Sequence, residues 1–401
     1  MFVFYYYSIV SVILIYHCAQ GIAIDEQVHL AGRIWAGGLV KDAKDVTKYT
    51  LQLLLKLNCL HQVPIHISIL NGSKDLVDAY KIQQMEVCSG DDDLCDKCAD
   101  FLVYEQDADL DIIFPNRIDR LAYLRDMQRA AMKKMHASAT ETDTLQDNDY
   151  VLLMDLDLDK IPGVLEISGV IDLMSSSGTT GIICANGMSS LTNQPYDTLA
   201  TILLSDTWMH PLVDRLDPKP YNTEESSVAK AYIEATVMAS LAIDNEGHTV
   251  SIADNKDLIP VKSCFGGMAI YRVSLWFNDE CEYTSDPHAA IEDGLFRYLD
   301  SKDERVCEHT VLNTCIKKHH EDANFYIHPR FITKYHDTKN YISMSGALVQ
   351  RNLVAVGNST EPSKQSEPSE PSKLSKPSKL SKITDPVEHK DEPRFDNIKL
   401  L

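Results

Sequence analysis

The chain has 401 residues, of which 44% are hydrophobic, 24% charged and 8% aromatic, the balance of a folded protein and not of a disordered one. Its 38 Lys and Arg face 59 Asp and Glu, a net charge of -21 that repels nucleic acid and anionic lipid and attracts cations. The segment from Gly357 to Leu401 holds eight basic and eight acidic residues, so the excess acid belongs to the chain before it.

Sixteen uncharged residues, MFVFYYYSIVSVILIY, open the chain, and the following HCAQG supplies the small residues Ala19 and Gly21 that a signal peptidase accepts. A signal peptide over residues 1–21 is expected. Because no Lys or Arg precedes the run, the alternative is an uncleaved anchor ending near Ala23, the one case in which a membrane is a partner. Either way the expected location is the lumen of the secretory pathway (Golgi or ER) or the cell exterior, and Asn71-Gly72-Ser73 and Asn358-Ser359-Thr360 are glycosylation acceptors consistent with it. Ten cysteines become nine once Cys18 leaves with the leader, so at least one stays outside an intramolecular bridge. Cys88, Cys95 and Cys98, in CSGDDDLCDKC, read as a local disulfide loop, since no second CxxC or HxxxH completes a zinc site. Cys281 and Cys307 bracket an acidic loop and are expected to pair across its base.

In chain order, Val28–Trp35 reads as a buried strand, and DAKDVTKYTLQLLLKL has apolar residues at helical spacing behind an Asp cap. PIHISIL is a second strand that ends in the turn NGSKD. Arg117–Met135 is the clearest amphipathic helix, and a polar stretch then leads into the strand YVLLMDLDLD. TGIICAN, SCFGGMAIYR and NFYIHP are later strands. Strands alternating with helices imply an α/β fold, a mostly parallel sheet flanked by helices. From Ser359 the chain becomes a Pro, Ser and Lys repeat with eight Ser and six Pro, a tail over residues 359–401 expected to be disordered. One domain over residues 27–350 remains.

Asp155, Asp157 and Asp159 follow the apolar strand YVLLM, and ligands of open α/β sheets collect beyond the carboxyl ends of strands. Alternate spacing turns the three carboxylates to one side, where a divalent cation relieves their repulsion. An EF-hand is rejected because its sixth position is Lys160 where Gly is needed. An aspartyl phosphatase also uses a strand-terminal DxD. A nucleotide-sugar glycosyltransferase uses it to hold Mn²⁺ or Mg²⁺ against a diphosphate, and a secreted acidic protein suits this third type best.

Several short motifs in a shared order resemble the fungal capsule-associated α-1,3-mannosyltransferase family. They are ILNGSKD with Ser73 and Asp75, Arg117 to Asp126, the DxD, Ala185 to Gly187, Tyr196-Asp197, FGGMAIYR, Cys281 with Tyr283, Cys307 to His309, and YIHPRF. The match runs roughly from Val28 to Lys334. The resemblance implies a GT-A-like fold with a single catalytic domain, and a metal-dependent transfer of a sugar, with mannose the donor sugar of the relatives, from a GDP- or UDP-linked donor to a glycan or glycoconjugate acceptor. It assigns metal binding to Asp155 and Asp157, and donor binding to Asp75, Arg125, Asp126, Asp155, Asn186 and Asp197; Asp126 departs from the family, which has Asn there. It makes Glu308 the acceptor-side base or sugar-positioning carboxylate, with His309 beside it, and leaves Glu292 and Asp293 as the rival acid pair. A secreted carbohydrate-binding or structural protein that keeps the fold without turnover is the alternative from another class.

Overall fold

The strand IWAGGLVKD (β1, Ile34–Asp42) lies further along the chain than the expected Val28–Trp35, and runs between two parallel neighbours, β2 (Ile65–Asn71) and β4 (Tyr150–Asp155). The computed structural model describes residues 30–88, 97–105, 110–139, 148–190, 200–203, 258–286, 306–335 and 398–399. The leader, Cys95, Tyr196, Asp197, Glu292, Asp293 and all of the tail except Ile398–Lys399 lie outside the described residues, and so does the side chain of Cys88.

The remaining strands are β3 (Phe101–Glu105), β5 (Leu158–Lys160), β6 (Thr180–Ser189), β7 (Ile202–Leu203), β8 (Ile259–Ser263), β9 (Met268–Arg272), β10 (Asn324–Tyr335) and β11 (Ile398–Lys399). They form one sheet in the order β11-β3-β2-β1-β4-β9-β6-β10-β8-β7, with β5 also paired to β10. Strands β1 to β4, β6, β7 and β10 share one direction, while β5, β8, β9 and β11 run against it. The expected SCFGGMAIYR strand is thus two strands, β8 and β9, broken at Gly266-Gly267. Two residues of the tail, Ile398 and Lys399, pair antiparallel with Tyr104 and Val103 of β3.

Helices cover both faces, and strand alternation decides which residue meets which helix. Leu152 and Met154 of β4 join the cluster of α1 (Lys48–Leu55), α2 (Ser73–Cys88) and α5 (Val164–Ser176), represented by Leu54, Leu76 and Ile167. Val151 and Leu153 point the other way, into the cluster of α4 (Arg117–Ala139), α6 (Val273–Trp276) and α7 (Glu308–His319), with Met132, Trp276 and Leu312. A one-turn helix, α3 (Leu110–Ile113), precedes α4. The α/β class and the mostly parallel sheet flanked by helices are therefore those expected from the sequence.

Local chemistry fixes the connections. Thr47, rather than an Asp, caps α1: its Oγ1 accepts the Thr50 amide at 3.2 Å and donates to the Leu158 carbonyl at 2.7 Å. The chain from Ala43 to Asp45 is a 3-10 turn, which carries the expected Asp cap out of register. NGSKD is both a turn and the start of α2, where the Glu105 carboxylate accepts the Gly72 and Ser73 amides at 3.0 and 3.2 Å and the Ser73 hydroxyl. A carboxylate from the end of β3 thus satisfies the positive end of α2.

His66 of β2 is fully buried, with Nδ1 2.8 Å from the Tyr104 hydroxyl, and burial pushes its pKa down to about 4. The unfolded chain protonates near 6.5 and the folded one only near 4, so stability is intact above 6.5 and falls as pH drops through that window, by about 3 kcal/mol. His136 and His309 shift in the same direction. Chemical denaturation at pH 7 and pH 4.5 should show a smaller loss on acidification for His66→Gln than for the natural protein; an unchanged loss would place the acid sensitivity elsewhere.

Candidate functional site

The buried face of α4 carries polar side chains among apolar Leu124, Ala131 and Met132. Arg125, Gln128, Arg129 and His136 recur at helical spacing, and all four are buried. Gln128 donates to the carbonyls of Gly38 and His66 at 2.7 and 2.8 Å, and Arg129 to the carbonyl of Trp276 at 2.6 Å and to that of Asn278. The helix read from the sequence as amphipathic therefore clips several elements together through hydrogen bonds.

Arg125 is the centre of the site. Its Nη2 donates to Asp155 Oδ1 at 2.8 Å and its Nε to Glu308 Oε1 at 3.1 Å, while its guanidinium carbon lies 4.7 Å from the Phe265 ring centre. Burial opposes the guanidinium charge, but Asp155 and Glu308 more than offset it and hold the pKa above its usual value. Arg125 and Glu308 are only 3% and 4% exposed, so each needs the other. Asp155, at the end of β4, is partly exposed, and its second oxygen accepts the Tyr335 hydroxyl at 2.8 Å.

Beyond Asp155 the alternation expected from the sequence holds. Leu156 and Leu158 are fully buried, whereas Asp157 is exposed and Asp159 partly so. Asp159 does not join a triple cluster; it accepts the Ser190 hydroxyl at 2.8 Å. Asp157 meets solvent yet is ringed by protein, and its carboxyl is pushed up to about 7, first by lost hydration and then by repulsion from Asp155. Because the side chain is exposed, the repulsion is the part of this shift that a cation would act on.

The two glycines of FGG are required here. Gly266 and Gly267 have φ of 64° and 77°, in the region that side chains avoid. A Cβ on Gly266 would stand 2.0 Å from the Ala185 carbonyl oxygen, and one on Gly267 would stand 2.5 Å from the Tyr335 hydroxyl. The Gly267 carbonyl accepts the Asp155 amide at 2.9 Å, which ties the turn to the end of β4. The Cys184–Cys264 disulfide anchors the segment just before it to β6.

Of the residues singled out from the sequence, the structure brings Arg125, Asp155 and Glu308 into direct contact, with Asp157 two residues beyond. His309 sits behind Glu308, its Nε2 3.9 Å from Oε1, stacked on Phe265 at 3.7 Å between ring centres and edge-on to Tyr283. Burial first, and Arg125 second, lower its pKa well below normal, so it is neutral. Asp126 faces away from Asp155; its Oδ1 accepts the Tyr283 amide at 3.3 Å and lies 3.6 Å from Arg129. Asn186 is buried and donates to the Pro329 carbonyl at 3.2 Å. Asp75 is exposed in the first turn of α2, and Asp197 lies outside the described residues. Tyr335 was not foreseen: a single Tyr at a strand end carries no pattern in the sequence.

The disulfides differ from expectation. Cys281 pairs with Cys315, 34 residues away in α7, and not with Cys307, which remains a thiol with Sγ 3.7 Å from Glu308 Oε2. Cys307 is the N-cap of α7 and its carbonyl receives the Thr310 and Val311 amides, whereas Cys315 lies two turns on, buried beside Cys281. Cys98 pairs with Cys59 of the turn after α1, so it is not closed locally onto Cys88 or Cys95.

The donor set suits a small divalent cation. Asp155 and Asp157 offer hard carboxylate oxygens, and one guanidinium against three carboxylates, Glu308 included, leaves the cluster anionic. Among the described residues the only three potential ligand side chains close enough to share an ion are Cys281, Cys315 and His319, and their two sulfurs are spent in a disulfide; the Asp155 site would offer two carboxylates. A cation here would draw its other ligands from a bound anion and water, as Mg²⁺ commonly does. No helix among the described residues is long and apolar enough to cross a membrane.

No protein-family profile matches the chain, and no curated protein sequence does. Solved structures of S. aureus TarS superpose on it loosely, each with a TM-score of 0.36 over 82% of this chain. The crystal structure of TarS shares 9% identity, that of TarS 1-349 shares 7%, and that of TarS 1-349 in complex with UDP shares 8%. This chain spans 40% of the first and 67% of each of the other two. Superpositions this loose carry no weight for fold or function.

Removing Arg125 leaves two carboxylates without their partner, one of them deeply buried. Urea denaturation of Arg125→Met should show a loss of about 3 to 5 kcal/mol, and adding Glu308→Gln should recover part of it. A single variant as stable as the natural protein would show that Glu308 does not depend on this guanidinium.

Proposed function

We propose that the chain is a divalent-cation-dependent glycosyltransferase of GT-A-like fold, acting in the secretory pathway on a glycan or glycoconjugate acceptor. The donor is a GDP- or UDP-linked sugar, with mannose the sugar implied by the sequence resemblance. The observation that carries the reading is the Asp155–Arg125–Glu308 bridge. It joins a strand-terminal carboxylate pair suited to a cation with a carboxylate from a helix start, on the carboxyl-terminal edge of a mostly parallel sheet.

Asp155 and Asp157 would hold Mn²⁺ or Mg²⁺, which when bound supplies positive charge to a diphosphate leaving group. Arg125 keeps Asp155 oriented. Glu308 is fixed by Arg125 on one oxygen and faces the Cys307 thiol with the other, an arrangement that favours orienting the donor sugar or acceptor hydroxyl over free proton exchange. The 4% exposure of Glu308 also supports a second reading, a carbohydrate-binding protein that keeps donor binding without turnover.

Incubating the protein with a panel of nucleotide sugars, with and without Mn²⁺, tests the reading through nucleotide release. Turnover with at least one donor in Mn²⁺ is expected, and release from none, despite donor binding, would favour the second reading. By calorimetry, Asp157→Ala should lose metal-dependent binding of nucleoside diphosphate while keeping its fold, because it removes one of several like charges. Equal, metal-independent binding by both proteins would defeat the cation assignment. Glu308→Gln should keep donor affinity and lose about 10²- to 10⁴-fold in turnover. A parallel fall in both would mean that Glu308 acts only through Arg125 and Asp155.

A further inference from the structure

We propose that Tyr335 is a positioning residue for the cation site, its phenol fixing the Asp155 carboxylate in the one orientation that leaves it open to a metal ion; the inference rests on the cation-dependent function above. The Tyr335 hydroxyl donates to Asp155 Oδ2 at 2.8 Å, and Arg125 Nη2, from α4, reaches Oδ1 at the same distance. Each carboxylate oxygen thus accepts one protein hydrogen bond and keeps a further lone pair. With both oxygens held, rotation about the Cβ–Cγ bond would break both contacts.

Three features of the fold aim the phenol at Asp155. Tyr335 is the last residue of β10, and the pairing of β10 with β5 shifts register between Lys334 and Tyr335, the kind of irregularity that redirects a side chain at a strand end. The ring is buried, at 5% exposure, and its hydroxyl fits against Gly267 so closely that a Cβ there would lie 2.5 Å away. That same glycine receives the Asp155 amide through its carbonyl at 2.9 Å. The end of β4, the glycine turn and the end of β10 therefore meet at one residue, Asp155. Partners that orient a ligand carboxylate in this way typically change metal affinity by about 10- to 100-fold when removed.

The test uses the full chain and Mn²⁺ alone, titrated with free ion followed by electron paramagnetic resonance, with melting temperature recorded in parallel. Tyr335→Phe keeps the ring and loses only the hydroxyl. It should melt close to the natural protein and bind Mn²⁺ about 10- to 100-fold more weakly. With an active donor, the Mn²⁺ needed for half-maximal rate should rise by the same factor, with kcat at saturating Mn²⁺ unchanged. Tyr335→Leu likewise lacks the hydroxyl while keeping an apolar side chain and Gly267 intact, and should weaken Mn²⁺ in the same direction, which serves as the readout if Tyr335→Phe folds poorly. Unchanged Mn²⁺ affinity in a well-folded variant overturns the role of Tyr335 and leaves the proposed function standing. Failure of the natural protein to bind Mn²⁺ overturns both.

Discussion

A guanidinium with 3% exposure is tolerable only where its charge is met, and in this protein Arg125 is met twice. Its two partners come from the end of β4 and the start of α7, 30 and 183 residues away in sequence. Folding that failed to bring both carboxylates to Arg125 would leave buried charge unpaired, so the register of α4 against the sheet and the docking of α7 are tied to the same contact. Gln128 and Arg129, one turn further along α4, fasten that register by hydrogen bonds to carbonyls of β1, β2 and the end of α6. The Cys281–Cys315 bridge pins α7 to the chain after α6, and closing a loop of this size stabilises the fold by about 4 kcal/mol on chain-entropy grounds.

The same contact divides the acids of the site. Asp155 is engaged on both oxygens and cannot reorient, Glu308 is engaged and buried, and Asp157 is left exposed with its carboxyl pushed up beside Asp155. Fixed carboxylates and one open carboxylate at a strand end are what a hard cation needs if it is to bind without rearranging the protein. His309 is neutral and stacked against Phe265, so it serves the packing behind Glu308 and is no second proton donor in this arrangement.

Much of this was legible in the sequence, for definite reasons. YVLLMDLDLD shows its strand because an apolar run ends in period-two alternation, and that alternation survives in the burial of Leu156 and Leu158. The α4 helix shows itself by its length and spacing, but the polar side chains on its buried face conceal how much of it is inside. β1 lies later than its apolar pattern suggests because IWAGGLVKD carries two glycines and a charged end. In the fold its central position makes small residues useful, since a Cβ at Gly38 would come within 2.7 Å of Leu156. The cysteine pairs do not follow chain spacing, which favours near neighbours, because Cys59–Cys98 and Cys281–Cys315 span 39 and 34 residues through tertiary packing. Tyr335 and its bond to Asp155 depend on a register shift that no local pattern records.

The central claim, that Asp155, held by Arg125, and its neighbour Asp157 form a cation site for a nucleoside diphosphate, is tested most directly by diffraction. Crystals grown with Mn²⁺ and a nucleoside diphosphate, measured at the manganese absorption edge, locate the ion without any assumption about turnover. The account predicts an anomalous peak about 2.1 Å from carboxylate oxygens of Asp155 and Asp157, with diphosphate oxygens completing its shell and the Arg125 bridge intact. Nucleotide bound with no manganese at these two residues, or manganese bound elsewhere, would contradict it.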